Sequence, residues 1–97
     1  GADIEELVKA AAEFTKESDV VALLASDQGG AKIVAAVGDM ALENGANSGT
    51  LVREMSKIVG GGGGGRAELA QGGGPDSGKI DEALGRGMEV LRESLVR

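Results

Sequence analysis

Apolar residues return at helical spacing in three stretches of this chain, and two short unbroken apolar runs lie between the first and second. In "ADIEELVKAAAEFTKES", Ile4, Leu7, Val8, Ala11 and Phe14 mark one face of a helix. Asp3 can cap its start, with Glu5 and Glu6 in the first turn where the helix dipole favours negative charge. "DVVALLAS", Asp19 to Ser26, and "AKIVAAVG", Ala31 to Gly38, are too brief for helices and read as buried strands. "DQGG" between them is a turn, so the two strands should form a hairpin. "DMALENGA" shows no periodicity and reads as loop. Asn47 or Ser48 then caps a second helix, Gly49 to Val59, with Leu51, Val52, Met55, Ile58 and Val59 on its apolar face, and Gly60 should stop it as a C′ glycine. "RAELAQ" reads as a short strand, and Pro75-Asp76-Ser77 opens a last helix whose stripe is Ile80, Leu84, Met88, Leu91 and Leu95. The order α-β-β-α-β-α predicts an α/β (α+β) fold, a small mixed sheet with helices packed on it.

Length adds that 97 residues suit one domain with one modest core. Phe14 is its sole aromatic residue, so that core is aliphatic. Cys and His are both absent, which excludes disulfides, zinc sites of thiolate and imidazole, and Cys- or His-based catalysis. With no Trp or Tyr there is no aromatic platform on which to stack single-stranded bases. No apolar run reaches the roughly 18 residues of a membrane span, and no signal peptide is visible.

Charge is unevenly placed. Residues 1–48 carry Lys9, Lys16 and Lys32 against nine acids and hold all of the net −6. Residues 49–97 balance seven bases, Arg53, Lys57, Arg66, Lys79, Arg86, Arg92 and Arg97, with seven acids. An acidic first half facing away from a polyanion and a balanced half facing it is one arrangement this permits.

The balanced half also holds "VGGGGGGRAELAQGGGPDSGK", with glycine at 60–65 and again at 72–74. Glycine costs about 0.5–1 kcal/mol relative to alanine in regular structure, so a run of six needs a reason. "GGPDSGKI" approaches the phosphate loop G-x-x-x-x-G-K-[ST], but Ile80 lacks the hydroxyl that would hold Mg²⁺. A flexible linker is the bland alternative. The third reading is a glycine-rich loop, 60–65 and 72–74, whose bare backbone approaches a ligand closely. Its successive N–H groups can face an anion, Arg66 adds a phosphate-pairing fork, and a flat base pair or ribose can lie on the chain. On this reading alanine at Gly62 and Gly63 blocks the approach and leaves the fold intact.

The string "NSGTLVREMSKIVGGGGGGRAELAQGGGPDSGKIDEAL", Asn47 to Leu84, resembles the end of the alanyl-tRNA synthetases, whose chain closes in a module related to the DHH-associated domain. The strand pair "DVVALLASDQGGAKIVAAVG" is also similar, so the resemblance covers nearly all of the chain apart from residues 39–46. It implies that residues 1–97 are a single C-terminal tRNA-binding module without catalytic residues or metal ligands. Aminoacylation and editing, with ATP and a metal ion, would belong to upstream domains, and this domain would need no cofactor. The partners implied are the outer corner, or elbow, of alanine tRNA, the other domains of the same chain and a second copy in a homodimer, in the cytoplasm and away from membranes. Arg53, Lys57, Gly60, Gly61, Gly62, Gly63, Gly64, Gly65, Arg66, Gln71 and Lys79 are the candidate RNA-binding residues. Two alternatives stand beside this. One is the substrate-binding module of a DHH phosphoesterase, although those versions typically carry "GGGH" where Arg66 stands here. The other is a purely structural dimerisation domain. Calorimetry with Mg²⁺ and ATP should give no binding isotherm, because the phosphate-loop pattern lacks its metal-binding hydroxyl at Ile80.

Overall fold

Antiparallel pairing joins four strands, Val21–Ser26 (β1), Ala31–Val37 (β2), Gly62–Gly65 (β3) and Leu69–Gly74 (β4), into one sheet of order β1-β2-β4-β3. These come from a computed structural model that describes residues 3–16, 20–27 and 29–95. The parts of the first helix and first strand readings that fall on Ala2, Glu17, Ser18 and Asp19, and Arg97 at the far end, lie outside the described residues. Four helices accompany the sheet: Ile4–Phe14 (α1), Asp39–Glu43 (α2), Ser48–Ile58 (α3) and Ile80–Leu95 (α4), the last preceded by a 3-10 turn at Ser77–Lys79. The α/β class and the order α-β-β-α-β-α are present, with α2 and β3 added to it.

Local chemistry places the element ends. The Asp3 carboxylate accepts from the Glu6 amide at 2.9 Å, so Asp3 caps α1 as its position predicts. Asn47 does the same for α3, accepting from the Thr50 amide at 3.1 Å. At the other end of α3, Gly60 adopts φ +81°. Its N–H donates to the Lys57 carbonyl at 3.2 Å, and the Gly61 N–H donates to the Ser56 carbonyl at 3.0 Å. That pair of bonds is a Schellman closure, which needs a residue tolerant of the left-handed region. The β1–β2 hairpin turns through Gly29 and Gly30, also at positive φ.

Helices pack on both faces of the sheet, fully on one and partly on the other. On one, Ile33, Ala35 and Val37 of β2 pack with Leu51, Val52, Met55 and Val59 of α3 and with Ala83 and Val90 of α4. On the other, Val34 and Ala36 meet Leu7 and Ala11 of α1, with Leu24 and Leu69 at the margin. The alternation along β2 feeds both faces, and Lys32 is its one residue that is not buried.

Several readings change. "DMALE" is a helix, not loop, but one of five residues is too short to show periodicity. The glycine loop at 60–65 and 72–74 is not a loop. Gly62–Gly65 and the end of β4 form the two strands of one hairpin, with Gly62 opposite Gly73 and Gly63 opposite Gly72. The predicted strand "RAELAQ" begins only at Leu69 and runs on through the second glycine triplet. Phe14, expected on the buried face of α1, is 57% exposed. In α4 the buried residues are Ala83, Gly87 and Val90, while Met88 and Leu95 of the expected stripe are 49% and 40% exposed.

Small residues set how closely α3 and its neighbours approach. A Cβ at Gly87 would lie 2.5 Å from Met55 Sδ, so α4 is glycine where the Met55 side chain crosses it. A Cβ at Gly72 would lie 2.6 Å from Ser56 Oγ, and one at Gly63 would lie 2.9 Å from Val52 Cγ1 and closer still to the backbone of β4. Gly62 and Gly64 point the other way and meet nothing within 4 Å. Alternation along β3 therefore separates glycines the core requires from glycines it does not.

Arg86 of α4 ties the two helices together across their exposed flank, donating to Glu54 of α3 at 3.1 Å and to Glu89 at 3.2 Å. Hydrogen bonds from Lys57 first and Arg86 second hold the Glu54 carboxyl below its ordinary value, and the hydrogen bonds that Arg86 makes to Glu54 and then Glu89 raise Arg86. A lowered carboxylate stabilises the fold above its unfolded value, and that contribution disappears as pH falls through the folded one. Urea midpoints should place Glu54→Gln below the parent at pH 7, with the gap narrowing as pH falls below the ordinary glutamate range. In the same assay Gly63→Ala and Gly72→Ala should each lose about 1–3 kcal/mol to overpacking. Gly62→Ala should be neutral or gain up to about 1 kcal/mol through the unfolded state. Equal losses at Gly62 and Gly63 would contradict the alternation.

Candidate nucleic-acid interface

α1 covers the sheet over β1 and β2 and reaches Leu69 near the start of β4, with its Ile4 and Val8 at the margin of the ribbon. Beyond it, on the same face, the β4–β3 ribbon is open. Register assigns the residues of that open face. Gly62, Gly73 and Lys32 form one cross-strand row, and Gly64, Gln71 and Val34 form the next. Val34 is buried under α1, whereas Gln71 is exposed. The floor at Gly62 and Gly64 is peptide backbone with no side chain above it.

Two shallow hollows follow the ribbon and share Gln71. One, of about 490 Å³, is lined by Ile4, Lys32, Gly62, Gln71, Gly73 and Pro75 among others. The second, of about 300 Å³, is bordered by Val8, Gly64, Gly65, Arg66, Leu69 and Gln71 among others. A flat ligand can rest on such a floor, with Gln71 offering both a donor and an acceptor beside it. As β3 is the outer strand, it also presents a row of backbone groups at the sheet edge.

The eleven residues singled out in the sequence divide among several places. Gly62, Gly64 and Gln71 lie together on the open face. Gly60 closes α3, while Gly61, Gly63 and Gly65 sit where a Cβ would strike the backbone of β4. Arg66 stands at the tip of the hairpin, where its N–H donates to the Leu69 carbonyl at 2.9 Å. Its side chain is paired with Glu68 at 3.2 Å. Arg53 is exposed on the flank of α3 nearest β3, one helical turn after Gly49, which faces the Gly65 carbonyl. Lys57 is paired with Glu54 at 2.9 Å. Lys79 lies in the 3-10 turn, 3.7 Å from Asp76, and Ile80 after it packs half-buried against the main core.

The structure does not keep the acidic half apart from the ribbon. β2 comes from the first half of the chain and pairs directly with β4 from the second. This brings Lys32 onto the open face, a residue the charge distribution by halves passes over. Its signal is the single charged position in "AKIVAAV", which marks a gap in an otherwise covered strand.

Among the described residues no group of three or more His, Cys, Asp or Glu could hold a metal ion, and no helix is long and apolar enough to cross a membrane.

Residues 1–93 match the model of the DHHA1 domain. A protein named alanine–tRNA ligase from Methanosarcina acetivorans is 58% identical over 94 residues, covering 97% of this chain and 10% of that one. The protein of the same name from Geobacillus kaustophilus is 49% identical over 71 residues, covering 72% of this chain and 8% of that one. The chain thus spans about a tenth of the length of these curated relatives. The C-Ala domain from Aquifex aeolicus alanyl-tRNA synthetase superposes with a TM-score of 0.81 at 34% identity, over 99% of this chain and 84% of that one. The glycine hairpin, the helix pressed on it and the half-covered sheet thus belong to a member of the DHHA1 domain family, in the form of the C-terminal C-Ala domain of alanyl-tRNA synthetase.

Proposed function

We propose that this domain binds the outer corner of alanine tRNA through the open face of its glycine hairpin, in support of aminoacylation and editing by other domains of an alanine–tRNA ligase. One observation carries the reading. At Gly62 and Gly64 the backbone lies bare on a surface where packing does not require glycine. A base pair or ribose exposed at a structured RNA corner can rest there, and shape and backbone contacts are how proteins recognise such targets. The names of the relatives support a tRNA partner. Arg66, standing where phosphoesterase modules carry His, favours a ligase over a DHH phosphoesterase. On this reading the domain itself uses no cofactor, works in the cytoplasm with the rest of its chain, and contributes a contact to a homodimer.

With Phe14 as its one aromatic residue, the chain can stack at most one base and collects little of what single-strand binders use, about 1–3 kcal/mol per base. Intact tRNA should therefore bind more tightly than a single strand of equal length. With two to four phosphates contacted, the log–log salt slope should fall at about −1.5 to −4. Gly64→Val keeps a strand-forming residue at an open position, so the fold should persist. It should weaken tRNA binding by about tenfold, which is about 1.4 kcal/mol. Arg66→Ala should lower affinity and slope only slightly, since its guanidinium is shared with Glu68, and Lys9→Ala should lower neither. Equal affinity for both RNAs, or a folded Gly64→Val that binds like the parent, would overturn the reading.

A further inference from the structure

Three of the four basic residues that flank the glycines in sequence, all but the exposed Arg53, already have a carboxylate beside them. Arg66 faces Glu68 at 3.2 Å, Lys57 faces Glu54 at 2.9 Å and Lys79 faces Asp76 at 3.7 Å. Each pair is close to neutral from a distance, so an incoming phosphate must compete with a carboxylate already in place.

Lys32 differs on three counts. It makes no ion pair among the described residues, although it lies in the half of the chain that holds the acidic excess. It stands in the row Gly62–Gly73–Lys32, so the two strands beyond it carry no side chain to screen its ammonium from the edge. It also lines the larger hollow, together with Gly62 and Gln71. A solvated surface lysine needs no such setting. Here a half-buried lysine is the one charged residue in a strand whose other residues are buried. Its stem can lie along the strand while the ammonium stays at the surface, within reach of a ligand phosphate.

We infer that Lys32 is the principal phosphate-contacting residue of the open face, holding the RNA backbone beside the nucleotide that rests on Gly62 and Gly64. This rests on the tRNA-binding reading above. The assignment moves the electrostatic anchor from the hairpin tip to the second strand. It also brings a residue of the acidic half into the interface.

Two measurements on the 97-residue chain test it. Filter binding or anisotropy with intact tRNA should show Lys32→Gln weakened about three- to tenfold, with a salt slope shallower by about 0.7–1, as loss of one phosphate contact requires. Lys32→Arg should keep both, and Lys79→Gln should change affinity less than twofold. In the parent chain, where no variant has to fold, tRNA should protect Lys32 from acetylation by an amine-reactive reagent while Lys9 stays reactive. An unprotected Lys32, with Lys32→Gln binding like the parent while Gly64→Val still weakens it, would overturn the assignment and leave the corner reading standing. If neither variant changes binding, both readings fall.

Discussion

The rest of this fold depends on bare strand backbone packed under the Val52 and Ser56 side chains where α3 crosses the β3–β4 hairpin. Side chains normally hold a helix about 10 Å from a sheet, the spacing at which stacked layers pack. Here Gly63 and Gly72 remove the side chains on the sheet side, and the helix answers with Val52 and Ser56. The contact is costly in the unfolded state, since each glycine gives up more conformational freedom than alanine would. What offsets it is tight contact between α3 and the ribbon. Leu51, Val52, Met55 and Val59 are all essentially buried beside it. The same device recurs at Gly87, where α4 gives up its Cβ to the Met55 side chain.

Strand alternation then gives the second property without further cost. A strand that needs glycine at every other position has its remaining positions free to be anything. In β3 those positions, Gly62 and Gly64, are glycine as well. Packing explains the inward set and leaves the outward set unexplained, and that residue-by-residue separation is what makes a ligand the better account of the open face. An edge strand with no side chains would also be an invitation to unwanted pairing. Its four-residue length and the charged Arg53 and Arg66 at its flank and tip limit that risk.

The elements that carry a period were legible in the chain. Both caps of α3, the Asp3 cap of α1 and the β1–β2 hairpin stand as their residues imply. What could not be read were features that have no local signal. Glycine is among the poorest strand formers, so β3 exists only because β4 lies beside it and α3 above it. A five-residue helix such as α2 shows no period. The stripe of α4 holds in part: Ile80, Leu84 and Leu91 pack half-buried against the core, whereas Met88 and Leu95 are exposed because close approach to α3 selects small residues, Ala83 and Gly87. The glycines and Gln71 of the open face were visible as a motif. Their division into inward and outward sets needed the register, and so did Lys32, which is remote in sequence and adjacent only across β4.

That remoteness bears on how charge should be weighed in an acidic domain. A net −6 would repel RNA if it were spread evenly, yet phosphate contacts depend on local charge within about 10 Å at ordinary salt. Cations already paired inside the protein add little at that range, because their carboxylates sit within 4 Å of them. An unpaired cation next to bare backbone counts nearly in full. The face that can take a polyanion is therefore set less by how many bases the sequence holds than by which of them the fold leaves without a carboxylate, and the antiparallel pairing of β2 with β4 is what puts one there.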